Sequence, residues 1–448
     1  MALLAIKERN LKQVINLLCR CQSTVTMTDH GSTQIKQKAK PLTEMPSPPA
    51  WPIVGHLPLL MIKKNKDKMD KMFENLREKY GDIYRLHMPG QGTMVITFRP
   101  EDIKTFYTSD GKIPNIPGFA MFEFIRKTSM KDRYATAGLI NNTEDWYEVR
   151  HQVQQDMMRP KSAFYYISDM EDIAIELADK IQEVKGKEGI LEPSTLLQEY
   201  ALEAVGCVFM GTRLGALKGL PDGKRLIEIS ALTGPLLMDL LFMSTSIAPY
   251  LPNFKKFVKY QGESFDICKK HVDETIAKVK DTDDTIIAKL VRKCGKDSAI
   301  PLIMGIDALQ VGIDTTGSSA AFLLYHLASN PDKQERLYQE ICDIIGPNGK
   351  MTESALGKMK YMKACQTESQ RILPAIFGSS RRTDTDLVIG GYKIPKGTTV
   401  VRCGSTSSND PANFPNPDKF SPERWLRGCP ERHNADSFAN IPFGHGAR

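Results

Sequence analysis

The chain has 448 residues, of which 41% are apolar and 25% charged, the composition of a folded globular protein and not of a disordered one. Its formal net charge of +7 is small for this length, and acids are interspersed among the basic residues, which argues against nucleic-acid binding. Nine cysteines without any CxxC spacing argue against a zinc site or a disulfide scaffold and favour a reducing compartment.

Residues 1–40 are basic, with seven Lys or Arg against two acids, and Ser and Thr become frequent from Ser23 onward. Apolar residues between Leu4 and Leu18 fall on one helical face. Lysine and arginine interrupt every apolar run well short of the about 20 residues that a membrane span needs. This composition is typical of a mitochondrial targeting segment. A cytosolic tail without regular structure is the alternative.

A proline-rich stretch from Pro46 to Pro52 starts the folded part, because its residues resist helix formation. Spacing of the apolar residues then predicts a helix over 67–80 and, from 144 to about 360, a long helical region with breaks near 185–189, 215–223 and 295–301. Strands are predicted at 83–88, 93–97, 387–389 and 398–401. The fold class is therefore mainly α (α+β), with a single large helical domain over residues 41–448 and small β-sheets.

Residues 311–316, with the sequence VGIDTT, are unusual inside an apolar helix that is predicted from about Pro301 to Ser329. Glycine there costs about 1 kcal/mol relative to alanine, and threonine can bond the preceding turn and bend the helix. We interpret the segment as a ligand-facing notch, in which Asp314 and Thr315 offer an acid and a hydroxyl at a widened turn to relay protons. A polar patch at a helix crossing is the alternative.

Two further sets of residues have helical spacing. Glu368 and Arg371, at i and i+3, can form an ion pair, and Arg424 could complete a buried network with them. Trp146 and Arg150 lie one helical turn apart, and an indole donor beside a guanidinium suits a carboxylate ligand. Taken singly, these residues could equally be a surface pair, a solvated loop arginine and a half-buried tryptophan.

Five motifs follow one another along the chain: WxxxR, GxDTT, ExxR, PERW and, at residues 443–448, FGHGAR. Together and in this order they resemble the cytochrome P450 family of haem-thiolate monooxygenases, over about residues 41–448. The resemblance implies that the protein binds haem b and inserts one oxygen atom of O2 into a small molecule.

The resemblance also implies roles for individual residues. The haem would be held by Phe443 and by side chains that neutralise its propionates, namely Trp146, Arg150, Arg381 and Arg448. Asp314 and Thr315 would deliver protons to the dioxygen activated at the haem. A structural triad would lock a helix and a loop beside the haem without doing chemistry, namely Glu368, Arg371 and Arg424. Val311 stands where the family usually has Ala or Gly and would narrow the pocket.

The family's haem loop reads FGxGxRxCxG, and Arg448 matches its arginine. We therefore expect the axial cysteine at the second residue beyond Arg448, after Ser or another small residue, and we interpret the sequence as an inactive, C-terminally incomplete fragment. Thiolate ligation favours cleavage of the dioxygen bond. None of the nine cysteines lies in this loop, and we reject Cys429, the nearest in sequence, so no metal ligand is assigned within the chain.

With a targeting segment in place of an N-terminal membrane anchor, the chain resembles the mitochondrial branch of the family. That branch takes electrons from a [2Fe-2S] ferredoxin, which is reduced by a flavoprotein reductase. Lys358, Lys360 and Lys363 could form the basic face that an acidic ferredoxin needs, although Thr367 stands where that branch often has another lysine. Solvated lysines at a helix start are an equal alternative. Peripheral contact with the inner membrane is a further expectation.

Substrate contacts are expected from four mostly apolar segments, namely the loop 113–137, residues 232–242, the helix around 309–315 and residues 375–379, with Val311, Ile376 and Phe377 in the pocket. Apolar pockets favour a lipophilic substrate, steroid-like or xenobiotic. Two alternatives stay open: an enzyme of the endoplasmic reticulum membrane, and, if the chain truly ends at Arg448, a haem-free protein that binds lipophiles or serves as a scaffold.

Overall fold

A computed structural model describes residues 39–62, 69–88, 91–136, 138–157, 160–185, 193–241, 243–346, 349–376, 378–428, 430 and 435–446. The predicted targeting segment, residues 1–40, therefore lies almost entirely outside the described residues.

Helices make up most of the described chain. They are α1 (Leu57–Met61), α2 (Met69–Tyr80), α3 (Pro100–Thr108), α4 (Phe119–Lys127), α5 (Glu144–Met157), α6 (Ile167–Val184), α7 (Pro193–Met210), α8 (Pro221–Leu240), α9 (Pro252–Lys278), α10 (Ile286–Cys294), α11 (Ala299–Ala328), α12 (Pro331–Ile345), α13 (Glu353–Lys358), α14 (Lys360–Ile372) and α15 (Gly404–Ser408). Short 3-10 helices lie at Leu42–Glu44, Pro160–Tyr166, Ala248–Tyr250, Pro422–Trp425 and Ser437–Ala439.

Helix α11 is the centre of the helical region, because α7, α9, α10 and α14 all pack against it. Its N-cap is Ser298, whose side chain accepts a hydrogen bond from the Ile300 N–H. Gly312 faces α7, where a Cβ would overlap the side chain of Val205. A glycine at this point therefore lets the two helices approach closely, so Gly312 itself faces α7 and is not part of the predicted ligand-facing notch.

The strands form two small sheets. One has the order β1 (Lys40–Pro41), β6 (Tyr392–Ile394), β5 (Leu387–Ile389), and the other has the order β2 (Ile83–Met88), β3 (Gly92–Thr97), β7 (Thr399–Arg402), β4 (Ser379–Arg382). In the second sheet β3 pairs with β2 in antiparallel fashion and with β7 in parallel fashion, and β4 pairs antiparallel with β7. This sheet brings the chain after α14 next to the N-terminal strands.

Apolar side chains fill a large core among α4, α5 and α7–α11, and a smaller one lies on each face of the four-stranded sheet. Burial of this kind is the main favourable contribution to folding. The predicted mainly α (α+β) class is confirmed. Two local predictions are wrong: helix α4 lies within the expected loop 113–137, and α11 is α-helical at every residue, without a widened turn at Asp314.

Among the described residues, no helix combines the length and the apolar character that crossing a bilayer requires.

Candidate active site

Glu368 is the centre of a buried charge network. Its Oε1 accepts hydrogen bonds from Arg371 Nη2 (2.8 Å), Arg424 Nε (3.0 Å) and the Ser421 N–H (3.1 Å). Its Oε2 accepts from Arg371 Nε (2.9 Å) and Trp425 Nε1 (2.8 Å). Glu368 and Arg371 are fully buried, and Arg424 is 6% exposed. The structure thus brings together the three residues of the predicted triad and adds Trp425 to them.

Arg371 also ties α14 to the loop that follows α15. Its Nη1 donates to the Ser408 carbonyl at 2.9 Å and to Asn409 Oδ1 at 3.0 Å, and its Nη2 donates to the Pro417 carbonyl at 2.6 Å. Buried guanidinium groups need a full set of acceptors, because each unsatisfied donor costs free energy. The network therefore fixes the position of α14 relative to residues 408–425.

Helix α5 places Trp146 and Arg150 one turn apart. Trp146 is buried, and Arg150 is half-buried. The Arg150 Nε is buried and has no hydrogen-bond partner among the described residues, and burial lowers the pKa of this guanidinium. A cation that is partly removed from water without a counter-ion is unfavourable, so this side chain is suited to a bound anion such as a carboxylate.

Arg381, on β4, is 4% exposed and already has an anionic partner. Its Nε donates to Asp110 Oδ2 at 3.0 Å, and its guanidinium lies 5.2 Å from the centre of the Tyr107 ring. The His445 ring meets the same tyrosine edge-on, with ring centres 6.3 Å apart. Tyr107 therefore connects the predicted propionate ligand with the predicted haem loop.

That loop has the conformation that its glycines allow. Gly444 and Gly446 have φ angles of +77° and +92°, a region that side-chain-bearing residues rarely adopt. Between them, His445 packs on Phe438 with ring centres 5.0 Å apart. Phe443, which opens the loop, is 84% exposed, a high value for a large apolar side chain. Arg448 lies outside the described residues.

In the VGIDTT segment, Asp314 points to the neighbouring helices, whereas Val311 and Thr315 lie on an open face of α11. Asp314 is held by neighbouring helices, because its carboxylate accepts hydrogen bonds from Gln198 Nε2 on α7 at 2.9 Å and from the Ser230 hydroxyl on α8. The Thr315 hydroxyl donates to the Val311 carbonyl at 2.9 Å, and Val311 is 52% exposed, although most of the ten residues before it on α11 are buried. Val311 and Thr315 therefore mark an open face of α11.

A cavity of about 440 Å³ lies beside the four-stranded sheet. Three of the four predicted substrate segments contribute to it, through Pro117 and Gly118, through Leu237, Met238 and Leu241, and through Ala375, Ile376, Gly378 and Ser379. The fourth segment, on α11, does not line this cavity, so Val311 as a pocket residue stays a prediction. Phe377 lies outside the described residues.

Several lining residues of this cavity were not predicted, namely Met69, Phe73, Gln91, Met94, Ser380, Thr399 and Val401. They come from α2, the turn before β3, β3 itself, β4 and β7. Nothing in the residue types distinguishes a cavity wall from a packed core, so only the three-dimensional arrangement identifies them.

A second depression, of about 1010 Å³, lies between α12, the start of α14 and the segment after Pro422. Its basic lining residues are Arg336, Lys360, Lys363 and Arg427, and its acidic ones are Glu340 and Asp343. Glu340 is occupied by the Tyr361 and Met362 N–H groups at the start of α14. Lys358 is exposed but does not line this groove.

The helix-rich fold, the buried Glu-Arg-Arg network and the glycine loop together define a haem-binding oxygenase. The chain belongs to the cytochrome P450 family, whose model, described as cytochrome P450, matches residues 45–448. The membership expected from the motifs is therefore confirmed, and with it a monooxygenase that uses haem b.

Individual relatives extend over most of the chain. It is 30% identical over 440 residues to the probable cytochrome P450 49a1 of Drosophila melanogaster, which covers 91% of this chain and 74% of that protein. It is 30% identical over 462 residues to cytochrome P450 CYP12A2 of Musca domestica, covering 96% of this chain and 84% of that protein. A third relative, cytochrome P450 12b1, mitochondrial, of Drosophila acanthoptera, is 29% identical over 432 residues, with coverage of 92% and 81%.

Two observations show that the residues present fit a haem. The Nε of Arg150, which has no partner in the described part of the chain, suits a propionate, and the exposed Val311 offers an apolar contact on the open face of α11. Trp146, Arg150 and Arg381 would hold the propionate edge, and the haem would supply the oxygen-activating chemistry.

Proposed function

We propose that this protein is a mitochondrial monooxygenase that hydroxylates a lipophilic small molecule with electrons from a [2Fe-2S] ferredoxin. The observation that carries the substrate class is the cavity of about 440 Å³, whose walls are mostly apolar side chains from three separate segments. Such walls recognise a substrate by shape and by the removal of apolar surface from water. A steroid-like compound and a lipophilic xenobiotic both meet this requirement.

Met238 is the residue with which this assignment is tested. A tryptophan at this position shortens the cavity, and an alanine enlarges it. We expect Met238→Trp to weaken the binding of a large lipophile by about tenfold while a small one binds as before, and Met238→Ala to favour the large one. Binding is measured from the shift of the haem absorption band. If both variants bind every ligand as the wild type does, the substrate does not occupy this cavity.

Thr315 and Asp314 carry the proposed proton delivery. The Thr315 hydroxyl donates its hydrogen to the Val311 carbonyl, so the hydroxyl oxygen can accept a hydrogen bond on the open face of α11. Asp314, anchored by Gln198 and Ser230, places a negative charge next to this turn. In Thr315→Ala we expect oxygen consumption to continue while product formation falls, and Thr315→Ser to restore it. Equal loss of both quantities would contradict this role.

The basic groove beside α14 is the proposed docking site of the ferredoxin. Lys360 and Lys363 line it, whereas the neighbouring Lys358 does not, which provides a matched control on the same stretch of surface. Rim charges mainly set the association rate and its dependence on salt. The double change Lys360→Glu and Lys363→Glu should raise the KM for an acidic ferredoxin with little effect on kcat, and Lys358→Glu should not. An unchanged KM in the double variant would refute this site.

The mitochondrial location rests on the basic, acid-poor composition of residues 1–40 and on the names of relatives that are called mitochondrial. Peripheral contact with the inner membrane is supported by apolar side chains that are unusually exposed near the proline-rich stretch, Trp51 at 65% and Ile53 at 96%. Fusion of residues 1–40 to a fluorescent protein tests the location, and a reporter at the endoplasmic reticulum would support the alternative.

A further inference from the structure

Arg402, in the four-stranded sheet, is a buried arginine that has no anionic partner among the described residues. Arg402 is the last residue of β7, which lies between β3 and β4, and only 3% of its surface is exposed. Its Nε donates to the Ser379 hydroxyl at 3.1 Å, which is a neutral acceptor. Among the described residues, no carboxylate lies within ion-pair distance of this guanidinium, although neighbouring Arg381 has one. A buried cation without a counter-ion is strongly unfavourable unless an anion binds to it.

Arg402 and Arg381 lie on the same face of the sheet. Arg381 is paired with Val400 across the β4–β7 ladder, and alternate residues of a strand share a face, so Val400 and Arg402 point the same way. Both guanidinium groups also lie against the ring of Tyr107, at 5.2 Å for Arg381 and 6.0 Å for Arg402. Asp110 accepts a hydrogen bond from the Arg381 Nε. Of these two guanidinium groups, Arg402 is therefore the one that has no carboxylate partner within the described part of the chain.

The surroundings of Arg402 leave room for its head group. A Cβ at position 404 would overlap the Arg402 guanidinium, so a glycine is required there for the side chain to take this course. A narrow cleft runs past it between the end of α14 and residues 440–442, the segment that leads into the haem loop. Ile376 lines both this cleft and the substrate cavity. Arg402 is therefore adjacent to the expected propionate edge of the haem and to the substrate.

We propose that Arg402 is a carboxylate-binding residue of this site, which none of the sequence motifs identifies. The carboxylate is either a haem propionate or the acid group of an amphipathic lipophilic substrate, since the guanidinium fork binds both in the same way. Proximity to Arg381 and to residues 440–442 favours the propionate. The proposal rests on haem b as the cofactor of the family and goes beyond the proposed substrate class.

The first experiment measures how firmly the holoprotein keeps its haem. The variants are Arg402→Met and Arg402→Lys, with Arg382→Met as the control, because Arg382 is the next residue of β4 and points to the opposite face. If Arg402 binds a haem propionate, haem transfer to an excess of a haem-binding apoprotein should be about tenfold faster in Arg402→Met, intermediate in Arg402→Lys and unchanged in the control. The propionate-bending band in the resonance Raman spectrum should shift in the same order.

The second experiment compares the binding of a long-chain fatty acid with that of its methyl ester. If Arg402 binds the acid group of a substrate, the wild type should bind the fatty acid more tightly than the ester, and Arg402→Met should lose this preference. The haem transfer rate of Arg402→Met should then equal that of the wild type. If Arg402→Met matches the wild type in haem transfer, in the Raman band and in the acid-to-ester ratio, the inference is wrong, although the proposed function stands. If the wild type itself purifies without haem, the proposed function fails first. Arg402→Lys, which keeps the charge, serves where Arg402→Met does not fold.

Discussion

Replacing Glu368 by glutamine tests the buried network most sharply, because the change removes one charge and almost no volume. The carboxylate accepts five hydrogen bonds, three at Oε1 and two at Oε2. The NH2 group of the glutamine cannot accept a hydrogen bond. The glutamine loses least when its nitrogen takes the place of Oε2, and even then Arg371 Nε and Trp425 Nε1 face another donor. Glu368→Gln therefore removes at least two bonds and the charge that both arginines share.

The expected loss of stability follows from these bonds. A hydrogen bond to a charged group contributes about 1.5–3 kcal/mol, and removing one member of a buried ion pair costs about 3–5 kcal/mol. We therefore expect Glu368→Gln to lower the free energy of unfolding by about 3–5 kcal/mol, a large part of the stability of an ordinary domain. Arg371 keeps its acceptors at Ser408, Asn409 and Pro417, so the fold should weaken and not be lost.

Guanidinium chloride unfolding, followed by tryptophan fluorescence, measures this loss from the shift of the midpoint. The chain has three tryptophans, and Trp425 contacts the network directly. Glu263→Gln is the matched control, because Glu263 forms a partly exposed pair with Arg225 and should contribute far less than the fully buried Glu368. If the two variants unfold at the same denaturant concentration, the buried network does not hold α14 as we argue.

Three further expectations concern other parts of the molecule. Asp307 pairs with the buried Arg126 at 2.6 Å, so Asp307→Asn should cost about 3 kcal/mol in the same unfolding assay. His326, stacked on Phe420 with ring centres 5.0 Å apart, has its pKa lowered below the ordinary 6.5 mainly by burial, against a smaller opposite effect of Glu368. The unfolded state therefore binds a proton that the folded state rejects, and stability should fall as the pH drops through about 6.5. His326→Phe should reduce this pH dependence by up to about 1.4 kcal/mol per pH unit. Haem content should be unchanged in Asp307→Asn, because neither partner of that pair is a proposed haem ligand.

Each of these has an outcome that contradicts it. An Asp307→Asn protein as stable as the wild type would mean that Arg126 finds another acceptor. A His326→Phe protein with the full pH dependence would assign the dependence to a different group. Haem loss in Asp307→Asn would show that α4 and α11 hold the cofactor through this pair.

Much of the regular structure could be predicted from the sequence, because its signal is local. The strand at 83–88 has the predicted bounds, and the predicted helix 301–329 matches α11 to within two residues at each end. Strand β4 was missed, since its sequence SSRR has no alternating pattern and its pairing with β7 alone makes it a strand. Helix α4 was missed because Pro114, Pro117 and Gly118 before it are typical of a loop.

In the candidate site, too, contacts between residues close in sequence could be predicted, and contacts between distant residues could not be predicted from spacing. Glu368 and Arg371 are three residues apart, so helical spacing predicts their pair, whereas the link from Glu368 to Arg424 spans 56 residues and depended on the ordered set of motifs. The pairing of Arg381 with Asp110 spans 271 residues and has no sequence signal. The contact of Gly312 with α7 was not predicted, because a glycine that lets two helices touch and a glycine that faces a ligand look alike in one sequence.

The carbon-monoxide difference spectrum of the reduced protein, expressed from its full-length transcript with haem supplied, tests the central claim most directly. We predict a red-shifted Soret band, which a thiolate ligand to the haem iron produces. A protein that purifies colourless, or a Soret band of the histidine-ligated type, would contradict the account.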